Sequence, residues 1–381
     1  MSVHSTFFLA VVPIIATGLS TVVQLRQTSL PFWNGNTEHT IVSSKGTLKH
    51  VQTLQLDSLG VPFALVDPAA FYNTHSRITQ FGKFSSIIVK EDGSELLATT
   101  ENGLFISLEL HPTVGDKYEV PEAVIYPMYD TQRRLIEFDR SPGSYPPPRV
   151  GLTSEGPYQG GGKGELIVTC PNREKALRFP DGVESRPSSR HGVSEFVAEC
   201  PEGEPPEAIL KLAPHQRIYQ LSLLAFCGQP TYNISIPRLD PTAYVYLGLA
   251  YDQGYARRFY IEATYEFRPT DMAALSNGDV MILFRKHFHD AMRIGYVTHE
   301  ELTSAITFGR TLSPRIIADI RQRDGYTIGS QVGLAIREDP NNGRIFVYTV
   351  NDNRYTGIAK NTLLSTFEWI PREYNEESFL T

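Results

Sequence analysis

From about residue 80 onward, the chain consists of short apolar runs separated by glycine turns. Residues 85–89 (SSIIV) lead through Asp92-Gly93 into residues 96–100 (LLATT), and the same order recurs around Asn277-Gly278 and Asn342-Gly343. Asp-Gly and Asn-Gly pairs supply the positive φ angles that a two-residue hairpin requires. The pattern therefore predicts a succession of β-hairpins.

These runs are apolar on both faces, which is typical of sheets that lie between neighbouring sheets. Stacked four-stranded blades provide that environment, so we predict an all-β fold, a β-propeller of six blades. The clearest hairpins lie further apart than the roughly 40–50 residues of a compact blade, which leaves long loops or unmarked blades as explanations. One short helix is predicted over residues 298–305.

The first residues differ from the rest of the chain. No Asp, Glu, Lys or Arg precedes Arg26, and residues 7–16 (FFLAVVPIIA) form an apolar run that is short for a membrane span. Small residues at Ala16 and Gly18 suit a signal-peptidase site. We expect a signal peptide over residues 1–18, with an uncleaved N-terminal anchor as the alternative.

This reading divides the chain into three parts. Residues 1–18 are the signal peptide or anchor, residues 19–79 are an N-terminal segment that carries the first strands of the propeller, and residues 80–381 form the propeller domain. The protein is then expected to be secreted, or periplasmic in a bacterium. Contact with a membrane is expected only through an uncleaved first segment.

Composition narrows the class of partner. The 381 residues include 41% hydrophobic side chains, enough for a packed core and unlike a disordered chain. Lys and Arg number 35 against 42 Asp and Glu, a net charge of -7, and no basic stripe is present to neutralise a phosphate backbone. We therefore expect that the protein binds no nucleic acid. A monomer is expected.

The three cysteines, Cys170, Cys200 and Cys227, have no zinc-ligand spacing. An odd number allows at most one internal bridge, and a disulfide and buried free thiols both remain open. Residues 160–163 (GGGK) suggest a phosphate loop, but Gly164 stands where that motif needs Ser or Thr. We interpret the segment as a hairpin loop.

Five segments resemble the phytase-like family, which is also described as having esterase-like activity of phytase. Residues 267–283 (FRPTDMAALSNGDVMIL) resemble its F-R-P-T element, small-residue strand, turn and apolar strand. Residues 154–156 are similar to the family's E-G-L element, and residues 100–103 are similar to its S-D-R-G turn. Residues 348–353 and 362–367 are similar to its two C-terminal strands.

The resemblance spans about residues 80–370 and implies an exported β-propeller with metal-dependent hydrolysis of phosphate esters or related esters. Two departures remove acids from the family pattern. Phe284 stands where the family has glutamate before R-R, and residues 329–333 (GSQVG), with Val332, replace D-N-F-E-G. The loss weakens any proposal that relies on a full ring of acidic ligands.

Acids at the starts of propeller blades can meet at one mouth of the central channel. Oxygen ligands suit Ca²⁺ or Mg²⁺, and arginine can hold anionic oxygens bidentately. A catalytic role is expected for Glu155, Asp271, Arg268 and Arg285. The expected metal ligands are Glu101, Glu155, Glu195, Asp271 and Asp352.

The alternative interpretation of these residues is structural, as turn residues on solvated loops or as an Arg268–Asp271 pair that braces adjacent blades. Three functions stay open on the sequence alone. The first is a metal-dependent hydrolase of small anionic or ester substrates. The others are a non-catalytic extracellular binding propeller and a calcium-dependent lactonase-like propeller enzyme.

Overall fold

The computed structural model describes residues 20–36, 39–59, 81–136, 150–169, 176–189, 199–200, 206–231, 242–252, 254–263, 266–286, 291–352 and 362–372. The proposed signal peptide, Cys170 and Glu195 lie outside these residues.

Most described strands group into five antiparallel units of four strands, which we call blades 1 to 5. Blade 1 contains β4 (Phe84–Val89), β5 (Glu95–Thr100), β6 (Leu104–Glu109) and β9 (Glu122–Pro127). Blade 2 contains β10 (Leu152–Ser154), β11 (Leu166–Thr169), β12 (Ala176–Phe179) and β13 (Ser188–Ser189). Blade 3 contains β14 (Pro206–Lys211), β15 (Leu223–Thr231), β16 (Tyr244–Asp252) and β17 (Tyr255–Ala263).

The last two blades follow the same plan. Blade 4 contains β18 (Phe267–Ala274), β19 (Val280–Lys286), β20 (Ala291–Val297) and β22 (Arg315–Arg321). Blade 5 contains β23 (Ser330–Glu338), β24 (Ile345–Asp352), β25 (Thr362–Pro371) and β3 (Gly46–Ser58). The remaining strands are β1 (Thr21–Ser29), β2 (Thr40–Val42), β7 (His111–Pro112), β8 (Tyr118–Glu119) and β21 (Thr311–Leu312).

The first strands of the five blades close into a ring. Each of β4, β10, β14, β18 and β23 contacts the next, and β23 contacts β4, which defines a β-propeller. In the described residues the blades number five, so the predicted count of six is wrong. The wide spacing of the hairpins comes from insertions within blades, such as β7–β8 in blade 1 and a helix between β20 and β22 in blade 4.

The N-terminal strands close the ring. Strand β3 pairs with β25 as the outermost strand of blade 5, so the last blade combines strands from both ends of the described chain. Strand β1 then pairs with β3 on one side and with β9 on the other. Blades 1 and 5 therefore share one continuous ten-stranded sheet.

The local elements follow from the turn and cap residues. Gly93, Gly278 and Gly343 have φ values of 76°, 88° and 70° in the hairpins that join the first two strands of blades 1, 4 and 5. Helix α1 (His299–Phe308) begins after Thr298, which forms a capping box with Glu301. It is one turn longer than the prediction, because Ile306 is also buried against the blades.

Short 3₁₀ turns occupy Pro214–Gln216 and Gln322–Asp324. No helix in the described part of the chain has the length and apolar content needed to cross a bilayer.

The core lies between the blades. Leu96 packs in the cluster between blades 1 and 5, while its neighbour Leu97 packs in the cluster between blades 1 and 2. Successive side chains on a strand point to opposite faces, so both faces of β5 are covered. This arrangement explains why the strands are apolar at consecutive positions rather than alternating.

A disulfide joins Cys200 to Cys227. Of the two possibilities left open by the cysteine count, the structure shows the bridge. It links the segment before β14 to β15 within blade 3, and both residues are buried.

Candidate functional site at the central channel

The five inner strands run in the same direction around the channel. The hydroxyl of Ser85, the second residue of β4, accepts from the N–H of Val150, just before β10 begins. Near the other end, the Thr153 hydroxyl of β10 accepts from the N–H of Lys211, the last residue of β14. We call the end where inner strands begin the upper mouth and the end where they finish the lower mouth.

Asp271 lies halfway along the channel and ties three blades together. Its Oδ2 accepts from the N–H of Leu334 in blade 5 at 2.8 Å, and from the Ser86 hydroxyl at 2.9 Å and the Ile87 N–H at 3.3 Å in blade 1. Burial raises the pKa of Asp271 well above its usual range, although these donors oppose the shift. The carboxyl group is thus fully engaged by protein donors.

Two arginines of blade 4 occupy the upper mouth. Arg268, on β18, places Nη2 3.4 Å from Oε1 of Glu207 in blade 3. Arg285 lies opposite Arg268 in the register of β18 and β19 and is 0% exposed. Its Nη1 donates to the Ser330 hydroxyl at 3.0 Å and lies 3.8 Å from Oδ2 of Asp352 in blade 5.

Two further polar side chains lie at this end of the channel. Glu101 follows β5 in blade 1, where its N–H donates to the carbonyl of Lys83, and it is buried. Gln331, the second residue of β23, is fully buried, and its amide has no hydrogen-bond partner among the described residues. We call the set the upper belt: Glu101, Glu207, Arg268, Arg285, Gln331 and Asp352.

Glu155 lies at the lower mouth instead. It follows the inner strand β10, and its carboxylate contacts Nζ of Lys211 at 2.9 Å. The same Nζ lies 3.9 Å from Oδ2 of Asp252, which also accepts from the Ser222 hydroxyl. Lys211 is 4% exposed and Glu155 34%, so this cluster opens to solvent on its Glu155 side.

The expectation that all the acids meet at one mouth is therefore wrong for Glu155. An acid that follows an inner strand lies at the lower mouth, whereas Glu101 and Asp352, which end second strands running the opposite way, lie at the upper mouth. Asp271 lies between the two ends. The structure brings together Arg268, Arg285 and Asp352, with Glu101 at the same end.

Sequence reasoning missed two members of the upper belt, Glu207 and Gln331. Both are the second residue of an inner strand, as Arg268 is. Alignment of the blades at the starts of their inner strands would have found them. Lys286, which follows Arg285 in the chain, pairs with Glu266 at 2.7 Å.

The expected Ca²⁺ or Mg²⁺ does not fit the described carboxylates. Among the residues that the structure describes, no three His, Cys, Asp or Glu side chains come together as a metal site would require. Asp271 is engaged by N–H and O–H donors, and Asp352 and Glu155 each lie against a cationic side chain. A divalent ion at these carboxylates would compete with arginine or lysine.

The glycine-rich segment at residues 160–163 holds an internal anion. Glu95 accepts from the N–H of Gly161 and, at 2.6 Å, from the Tyr158 hydroxyl, which in turn accepts from the N–H of Gly162. The backbone donors that a phosphate loop would offer to a nucleotide thus bind a carboxylate of blade 1. The segment braces blades 1 and 2, consistent with its interpretation as a hairpin loop.

Comparisons with known proteins add little beyond the architecture. No family model matches this chain, and no curated protein matches it. Solved structures similar to it include the β-propeller domain of Myceliophteria thermophila Cps50 (Swd1), at 9% identity and a TM-score of 0.33, covering 89% of this chain and 99% of that one.

Two other similar structures have different descriptions. RS223 β-xylosidase has 9% identity and a TM-score of 0.40, covering 77% of this chain and 93% of that chain. A DUF4623 family protein from Bacteroides eggerthii has 9% identity and a TM-score of 0.32, covering 91% and 83%. At such similarity none of them informs function, and the propeller assignment rests on the ring of inner strands.

Proposed function

We propose that the protein is an exported hydrolase of phosphate esters or related esters, and that it binds its small anionic substrate at the upper mouth. The observation that carries the proposal is the upper belt itself. Two buried guanidinium groups, three buried carboxylates and the Gln331 amide lie around one end of the channel. Clusters of buried ionisable groups in a cleft are more frequent at functional sites than elsewhere.

The chemistry uses groups of this chain alone. A guanidinium presents N–H donors in a planar fork that matches the oxygens of a phosphate or carboxylate. If the substrate oxyanion takes the place of Asp352 beside Arg285, the displaced carboxylate becomes available to accept a proton from water as the water oxygen attacks the phosphorus or the acyl carbon. The bond to the leaving oxygen then breaks, and the Asp352 carboxyl returns the proton to that oxygen. A carboxylate placed in this way acts as a general base in hydrolysis.

Two features support the finer parts of the proposal. The Cys200–Cys227 disulfide supports export, because disulfides persist in oxidising compartments. The resemblance of residues 267–283 to the phytase-like family supports an ester as the substrate. A monomer without a nucleic-acid partner remains part of the same proposal.

The test measures ester turnover by the purified chain, residues 19–381. Hydrolysis of p-nitrophenyl phosphate and p-nitrophenyl acetate is followed with Ca²⁺, with Mg²⁺ and with EDTA. We expect turnover that falls at least about tenfold in Arg268→Met, is partly restored in Arg268→Lys, and is unchanged in Glu155→Gln at the lower mouth. Absence of turnover under all three conditions would refute the hydrolase.

A second candidate is a non-catalytic binding propeller. It is favoured by the contacts of Arg268 with Glu207 and of Arg285 with Asp352, which link blade 4 to both neighbours and make the upper mouth a rigid platform. Calorimetric titration with phenylphosphonate, which cannot be hydrolysed as an ester, distinguishes the two. Binding that depends on Arg268, without turnover of either ester, would establish the binding function.

A further inference from the structure

The outer edge of blade 3 is only partly covered. Strand β21 pairs with β17 in parallel at Tyr260 and Ile261, and the Tyr260 N–H donates to the Arg310 carbonyl. Because backbone groups on one edge alternate along a strand, the N–H and C=O of Ala256 and Arg258 point outward on the same edge. Among the described residues, no strand pairs with β17 on this side before Tyr260.

A groove runs along this open edge. Two adjoining cavities of about 430 and 550 Å³ share Ala256, Arg257, Ile306 and Thr307 in their walls. Helix α1 contributes Ile306 and Thr307 to the groove, and Glu199 also lines it. We call it the edge groove. Its position places an extended segment within reach of the outward backbone groups of β17.

Exposed aromatic side chains surround the edge groove. Tyr219 and Tyr255 are 76% and 68% exposed, and Phe308 is 66% exposed. Tyr219 sits in the two-residue turn between Ile218 and Leu221 with φ of 57°, a conformation that favours glycine or asparagine. Non-glycine residues held in this sparsely populated backbone region cluster at functional sites such as ligand clamps.

The charges along β17 distinguish between two possible occupants of the edge groove, a second copy of this chain and an acidic strand. Arg258 pairs with Glu199 at 2.6 Å, but Arg257 is exposed and has no ion pair among the described residues. Two copies of this chain joined edge to edge would bring the arginines of both β17 strands together. Like charges on paired strands are destabilising, so the edge groove disfavours a second copy and suits an acidic strand.

We propose that the edge groove binds an extended acidic peptide segment of a partner protein, which adds to blade 3 as a strand beside Ala256–Arg258. The outward N–H and C=O groups of Ala256 and the outward N–H of Arg258 supply main-chain hydrogen bonds, as in other cases of strand addition, whereas the Arg258 carbonyl faces Gly309 at the end of α1. Arg257 contacts an acidic side chain of the peptide, and Tyr219, Tyr255 and Phe308 pack against its apolar side chains. The site lies on the outer edge of blade 3 and is independent of the upper mouth.

The test is selection of random decapeptides displayed on phage against the purified chain, followed by anisotropy titration of the selected peptides as synthetic fluorescein conjugates. We expect sequences that alternate acidic and apolar residues. Their affinity should fall at least about tenfold in Ala256→Pro, which removes an outward N–H, and in Arg257→Glu. Ala256→Ser keeps the N–H, and Arg323→Glu reverses a charge elsewhere, so both should bind normally.

Several results would overturn the proposal. Selection that yields no binding peptide, or peptides that bind equally to wild type and Ala256→Pro, rules out strand addition. Enrichment of basic peptides rules out the charge assignment. A concentration-dependent dimer in sedimentation that is abolished by Ala256→Pro would assign the edge to a second copy instead. Thermal melting of each variant confirms that the fold is retained.

Discussion

The two mouths of the channel hold similar residue types in different surroundings. At the upper mouth, Arg268 and Arg285 contact carboxylates of the neighbouring blades, and these groups are buried. At the lower mouth, Lys211 contacts Glu155 and Asp252, and the Glu155 carboxylate is one-third exposed. Charges in a low-dielectric site interact more strongly than solvated charges, so the upper mouth is the better place for binding and chemistry.

The difference arises from strand direction. An acid at the end of an inner strand lies at the lower mouth, because the inner strands run from the upper to the lower mouth. An acid at the end of a second strand lies at the upper mouth, because the second strands run in the opposite direction. Asp271 lies between the mouths and joins blades 1, 4 and 5. The two mouths can therefore be perturbed separately, and the expected effects decrease from the channel centre to the lower mouth.

Removal of the Asp271 carboxyl should have the largest effect. Asp271→Ala leaves the N–H groups of Leu334 and Ile87 and the Ser86 hydroxyl without their acceptor in a buried site. We expect the free energy of unfolding to fall by about 4 kcal/mol, measured by urea denaturation. Asp271→Asn retains one acceptor oxygen and should lose less, and equal losses in both variants would contradict this account.

Loss of one upper-belt arginine should come next. Arg285→Met leaves the buried Asp352 carboxylate without the guanidinium 3.8 Å away, and we expect a loss of about 3 kcal/mol in the free energy of unfolding. The double variant Arg285→Met with Asp352→Asn should regain part of that loss, because it removes the remaining buried charge. If the double variant is less stable than the single one, the two groups do not act as a pair.

Much of the architecture could be predicted from local chemistry. The glycine pairs at Asp92-Gly93, Asn277-Gly278 and Asn342-Gly343 marked hairpins, and all three glycines have the positive φ that a tight turn needs. Consecutive apolar residues, as in residues 96–100, predicted strands that are buried on both faces. The helix expected over residues 298–305 begins after Thr298, where the capping box with Glu301 forms within one turn of the chain.

The site was less predictable, because its members meet through long-range packing. Glu155 and Asp352 both follow apolar runs, yet the first ends an inner strand and the second ends a second strand, so they lie at opposite mouths. The residues around each acid do not show whether it follows an inner strand or a second strand. That distinction requires the strands to be assigned to blades first. The blade count failed for a related reason, since the strand that completes blade 5 lies at Gly46–Ser58, far from its partners in sequence.

A pH dependence should distinguish the channel centre from both mouths. Burial raises the pKa of Asp271 in the folded chain. Its stabilising contribution is thus complete below the unfolded-state pKa of about 3.9 and is lost as pH rises through the folded-state value. Asp271→Asn does not titrate at this position.

Urea denaturation from about pH 4 to pH 8 should therefore show the wild type losing stability relative to Asp271→Asn as pH rises. The comparison between the two proteins cancels other titrating groups. A stability difference that stays constant over this range, or that shifts in favour of the wild type, would mean that the surrounding donors outweigh burial at Asp271.

Neutralisation of Glu155 should have the smallest effect. Glu155→Gln removes a partly exposed charge from Lys211, which keeps Asp252 nearby, and we expect a loss of at most about 1 kcal/mol in the free energy of unfolding. Because Glu155 lies at the lower mouth, ester turnover and phenylphosphonate affinity should equal those of the wild type. A large loss of either with the fold intact would move the functional site to the lower mouth and overturn the assignment made from strand direction.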